Sequence, residues 1–206
     1  MRAEGLKSRC LLLCAFLFGV VLLPGCSGRI LPPPSPETPQ QVFVLDHGRH
    51  SSLLLPHENG LARYSWGDLE YYGFGNTGLS GGLHALFVPS ASILARQSLP
   101  DANSLDEARA LLSVPVRQAI TLEAEAGDIK RLRQRLDAHF AASGTVLHNV
   151  AYGFDFVPYP RRYSFFDNSN RRVGDWLSEL GCEIHGPQYF SSWKLLAARE
   201  AEADPL

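Results

Sequence analysis

Ser169 stands where a helix should begin, behind Tyr163-Ser164-Phe165-Phe166 and within Asp167-Asn168-Ser169-Asn170-Arg171-Arg172. Val173, Trp176, Leu177 and Leu180 then recur at helical spacing, and Gly181 closes the run. A side chain at such a start lies near unpaired N–H groups and the positive end of the helix dipole. Thiol hydrolases place their nucleophile there, because the environment favours the thiolate. Ser169 offers a hydroxyl, which a helix start cannot ionise and which depends on an aligned base. With Asp167 and Asn168 beside it, Ser169 is also a good N-cap. The second stretch with chemical potential is Asp46-His47-Gly48-Arg49-His50, more than a hundred positions earlier. His50 could act as a base or rest as a buried imidazole satisfied by backbone. Asp46, His47 and His50 would make a metal site only if Gly48 broke the strand, since positions three apart face opposite ways. No metal and no cofactor are expected.

The elements that must hold these residues follow from pattern. Gln41 to Leu45 reads as a strand, Ser51 to Leu55 as a second apolar run ending at Pro56, and Gly48 bends the path between them. His57 to Gly60 form a turn. Ala62 to Asp68 make another strand, which leads into the aromatic stretch Leu69 to Phe74. Gly73, Gly75, Gly78, Gly81 and Gly82 follow without phosphate-loop spacing, so no nucleotide is inferred. His84 to Pro89 fit a short helix or strand. Ser104 caps a helix through Leu112, and Val114 to Leu122 suggest a strand. From Asp128 to Ala142 a helix places Ile129, Leu132, Leu136 and Phe140 on one face, with a basic, solvated remainder. Val146 to Phe156 read as a strand broken by Pro158 and Pro160, and Tyr189 to Ala198 as a last amphipathic helix. Helices and strands mixed without βαβ alternation give an α+β class.

Composition bounds the setting. The 206 residues, 45% apolar, support one core. A net charge of −2 leaves no electrostatic footprint for nucleic acid. Residues 1–26 read as an export signal: Arg2, Lys7 and Arg9 precede an apolar run from Cys10 to Leu23, shorter than the about 20 residues a bilayer needs. Leu23-Pro24-Gly25-Cys26 resembles a bacterial lipobox, which implies acylation at Cys26 and membrane attachment through that lipid. Ser27 after it implies, by the same resemblance, the periplasmic face of a Gram-negative outer membrane. Residues 27–40, with five prolines, read as a stiff tether that holds a single domain, 41–206, off the membrane. Cys182 is then the sole mature thiol in the domain and is expected to be packed rather than reactive.

Three motifs in order, His47-Gly48-Arg49-His50-Ser51, Trp66-Gly67-Asp68 with Tyr71-Tyr72, and Tyr163 to Asn170, resemble an uncharacterised bacterial envelope family of the urease-region type. Its pattern is H-G-x-H-T-G-L, W-G-D and Y-S-L-F-N-T-C-N-T-W, and the likeness spans roughly residues 42 to 181. That family is similar to circularly permuted papain-like (NlpC-like) hydrolases, which implies an antiparallel sheet packed against helices. Carried over, His50 matches the base, Ser169 the cysteine, and Asp68 the residue that orients the imidazole, with Glu70 as second choice. The implied chemistry is acyl transfer on a cell-wall peptide or lipid. Serine in a thiol frame favours instead a weakened or silent relative that binds a peptide or lipid fragment. Arg171-Arg172 replaces the usual Thr-Trp and would suit an anionic group.

Overall fold

A computed structural model describes residues 27–73 and 89–197. The expected signal with Cys26, most of the glycine-rich stretch and His84 to Val88 lie outside them. The main sheet has seven strands in the order β6-β2-β3-β4-β5-β8-β7. They are β2 (Pro39–Asp46), β3 (Ser51–His57), β4 (Gly60–Asp68), β5 (Ser90–Pro100), β6 (Gln118–Glu125), β7 (Leu147–Asn149) and β8 (Phe154–Tyr163). Every pairing is antiparallel. The chain is therefore α+β with a mainly antiparallel sheet.

Alternation assigns the two faces. Val42, Val44, Leu53, Leu55, Tyr64 and Trp66 point to one side, where α2 (Ala126–Ala142) and α3 (Ser169–Glu179) cover them. Ile129, Leu132, Leu136 and Phe140 of α2 are buried there, as their spacing requires. Phe43, Leu45 and Leu54 point the other way, under α1 (Leu105–Leu111), whose N-cap Ser104 accepts from the Glu107 N–H. Strands covered on both faces explain the unbroken apolar run in β3. Trp66 and Trp176, each 1% exposed, anchor the helical side. A buried tryptophan contributes at most about 5 kcal/mol by area.

Four expectations change. The expected tether is paired at its start: β1 (Gly28–Leu31) lies between β9 (Glu183–His185) and β10 (Trp193–Leu195) in a second sheet, with Ile30 fully buried. At the other end of that stretch Pro39 and Gln40 already pair with β6. Among the described residues of the expected tail helix, only Trp193–Leu195 is regular, as β10 paired parallel to β1; Trp193 packs inward, and a Cβ on Gly28 would come within 2.5 Å of its ring. The expected strand Val146 to Phe156 divides at a turn where Gly153 takes a positive φ of 65°. Pro158 and Pro160 do not break β8. β7 reaches only as far as Phe156, so the rest of β8 is an edge, where a missing N–H costs little. Among the described residues no helix is long and apolar enough to cross a membrane.

Candidate functional site

The start of α3 meets the start of β3, as the motifs require. Asn168, not Ser169, caps the helix: its Oδ1 accepts from the N–H groups of Asn170 at 2.9 Å and Arg171 at 3.0 Å. Its amide donates to the carbonyls of Phe165 and Tyr189. Asn170 reaches across to β3. Its Oδ1 accepts from the Ser51 hydroxyl at 2.9 Å, and its amide donates to the Arg49 and Tyr189 carbonyls. Ser51 in turn accepts from the Trp193 indole at 2.8 Å. Ser51, Asn170 and Trp193 thus form a closed buried network that the sequence reading missed. The Asn-x-Asn pattern around Ser169 was its one legible trace.

Ser169 begins the helix, 1% exposed, and among the described residues its Oγ has no partner at full hydrogen-bond geometry. The Tyr163 phenol lies close enough for the Ser169 hydroxyl and N–H to favour its anion, yet burial and the Asp68 charge raise its pKa to about 12. Tyr163 is a proton donor in any ordinary pH range and no base for Ser169.

His50 is not paired with Ser169. The His47 N–H donates to the His50 carbonyl at 3.0 Å, closing a tight turn at Gly48, whose φ is +97°. The next residue, Ser51, enters β3 pointing to the helices. The His50 ring goes to the opposite side, stacked on His47 at 5.1 Å and edge-on to Tyr72 at 5.3 Å. There it lines a cavity of about 20 Å³, with Ser65, Gly67, Ala95, Phe154 and Phe156 among its neighbours. It makes no hydrogen bond among the described residues. Burial, with the charges of His47 and Arg63, lowers its pKa to about 3. His47 is held at about 4, mainly by burial, while its Nδ1 contacts the Pro115 carbonyl and its Nε2 the Ser52 hydroxyl.

Asp68 is buried and orients no imidazole among the described residues. One oxygen accepts from the Tyr71 N–H at 2.7 Å, and the other from the Ser90 hydroxyl. It therefore holds the π-helical turn Leu69–Gly73 to the first residue of β5. Glu70 is exposed in that turn.

The two arginines separate. Arg172 is 7% exposed, donates to Asp175 and Asp167, and lies 4.9 Å over the Trp66 ring. Arg171 is exposed and unpaired among the described residues. With Phe166, Gly186, Pro187, Gln188 and Tyr189 it lines an open recess of about 220 Å³ beside the helix start. Cys182 is buried, and desolvation raises its thiol to about 12. Among the described residues no three His, Cys, Asp or Glu side chains gather as a metal site.

Compared with protein-family models, curated proteins and solved structures, the chain finds no significant match in any of the three.

Proposed function

We propose that the protein is a lipid-anchored envelope protein on a permuted papain-like frame, and that it binds a peptide or lipid fragment instead of cleaving one. The frame is supported by an early strand that opens just after His50 and a late helix that opens at Ser169, joined through Ser51 and Asn170. The observation that carries the silent reading is Ser169 itself, buried and with no base bonded to its hydroxyl among the described residues. Acyl transfer needs the hydroxyl proton to pass to a base as the O–C bond forms. His50 has a pKa far below neutral and no carboxylate behind it among the described residues, and Asp68 is spent on Tyr71 and Ser90. A base of that strength accepts a serine proton poorly. The recess beside the helix, with two aromatic rings and the Arg171 cation, offers apolar and anion-binding surface for a fragment.

A fluorophosphonate probe tests the choice. The expected result is no labelling of the wild-type chain above that of Ser169→Ala. Labelling that Ser169→Ala abolishes would establish the alternative, an amide or ester hydrolase built on Ser169, His50 and Asp68.

A further inference from the structure

Ser27 is joined directly to Cys26, so an acylated cysteine has its Cα about 3.8 Å from that of Ser27. The Ser27 hydroxyl meets the Ser192 hydroxyl at 3.2 Å, and a Cβ on Gly186 would come within 3.3 Å of the Ser27 carbonyl oxygen. β1 starts at the next residue, Gly28, and leaves no spacer. A bilayer that holds Cys26 must therefore pass beside the loop from Gly186 to Ser192.

That loop and the approach to α3 present an unusual surface. The Phe165 ring stacks on Tyr189 at 5.3 Å, Phe166 meets both rings edge-on, and Phe190 meets Phe165 edge-on. Phe166 is 64% exposed and Phe190 40%. The acids nearby are already answered, Asp167 by Arg161 and Arg172, and Asp175 by Arg172. Arg171, at the edge of the rings, keeps its charge free among the described residues. Exposed rings beside an unpaired cation match the boundary between headgroup and acyl chain. There an aromatic side chain rests with its body in the apolar layer and a cation meets the phosphates.

We propose that the face formed by Phe165, Phe166, Tyr189, Phe190 and Arg171 is seated on the anionic surface of the membrane that holds Cys26. The domain then lies against the bilayer rather than off it. This takes the recess at Phe166, Arg171 and Tyr189 for a lipid of that membrane, the lipid-fragment arm of the proposed function. It rests on acylation of Cys26, and not on whether Ser169 turns over.

The acylated full chain, reconstituted into phosphatidylethanolamine–phosphatidylglycerol vesicles with or without brominated acyl chains, tests the proposal. The native Trp66, Trp176 and Trp193 are at most 2% exposed and supply a protected background. Phe166→Trp, or Phe190→Trp as a second reporter, should lose most of its added emission in brominated vesicles. Leu111→Trp, on α1 at the opposite face of the main sheet, should lose none. Adding Arg171→Glu to Phe166→Trp should restore part of the lost emission. Chains that float with the vesicles while both reporters stay unquenched would overturn the docked face and leave acylation standing. Chains that do not float would overturn both.

Discussion

The Ser51 hydroxyl donates to the Asn170 side-chain carbonyl at 2.9 Å, across 119 positions of sequence. Each partner sits one residue beyond the pair that chemistry would need, His50 and Ser169. A strand alternates its side chains, so the residue that turns to the helices sends its neighbour the other way. The turn at Gly48 sets that register, and it favours a structural contact over a catalytic one.

Ser51→Ala leaves the Asn170 carbonyl and the Trp193 indole without their shared partner in the core. Each buried group so stranded costs about 1–3 kcal/mol. Chemical denaturation should show a loss in that range or somewhat above it. An unchanged midpoint would mean that the network adds nothing to the join between β3 and α3.

His47 and His50 make stability depend on pH. Folded, they take up protons only near pH 4 and 3. Unfolded, they do so near 6.5. As pH falls below about 6.5 the unfolded chain binds protons that the native one refuses, so stability drops, by up to about 1.4 kcal/mol per pH unit per ring. The loss flattens once the folded pKa values are passed. His50→Gln should make the decline between pH 6.5 and 4 shallower, read from denaturation midpoints. An identical decline in the variant would show that the ring is solvated and titrates normally.

α2 and α3 were legible because their apolar residues repeat at helical spacing, Ile129 to Phe140 and Val173 to Leu180. The π-helical turn Leu69–Gly73 carries no such repeat, and Tyr189 to Ala198 suggested a helix where β10 lies. β1 and β10 were not legible, since Gly28–Leu31 and Trp193–Leu195 are too short for a period and gain their order from each other. The prolines of β8 misled for a related reason, because only a sheet reveals which strand is an edge. The two site segments were legible as neighbours. Which residue of each would face the other depends on a single-residue register, and no local pattern encodes that.

Arg63 lies fully buried in β4, with its Nε and Nη1 unpaired among the described residues. One N–H donates to the Tyr152 carbonyl at 3.1 Å, and the guanidinium lies 3.9 Å over the Phe154 ring. Desolvation lowers its pKa to about 9, and no carboxylate answers it among the described residues. Replacing even a buried ion pair by apolar side chains is often neutral or stabilising by about 1–4 kcal/mol, and a charge with no ion partner has less attraction to lose. Arg63→Met should therefore hold or raise the thermal midpoint. A clear fall would show that stacking on Phe154 and the Tyr152 contact outweigh desolvation.

Ser169→Cys puts the question of the catalytic pair to the molecule itself. The alkylation rate of that thiol by iodoacetamide, followed against pH and compared with the same change in a His50→Ala background, gives its pKa and its dependence on the imidazole. With the site buried and the ring turned away, the thiol should react slowly, with a pKa at or above about 8.5 and no change on loss of His50. Fast alkylation at neutral pH that vanishes with His50→Ala would contradict the account, because only an imidazole in contact with position 169 could produce it.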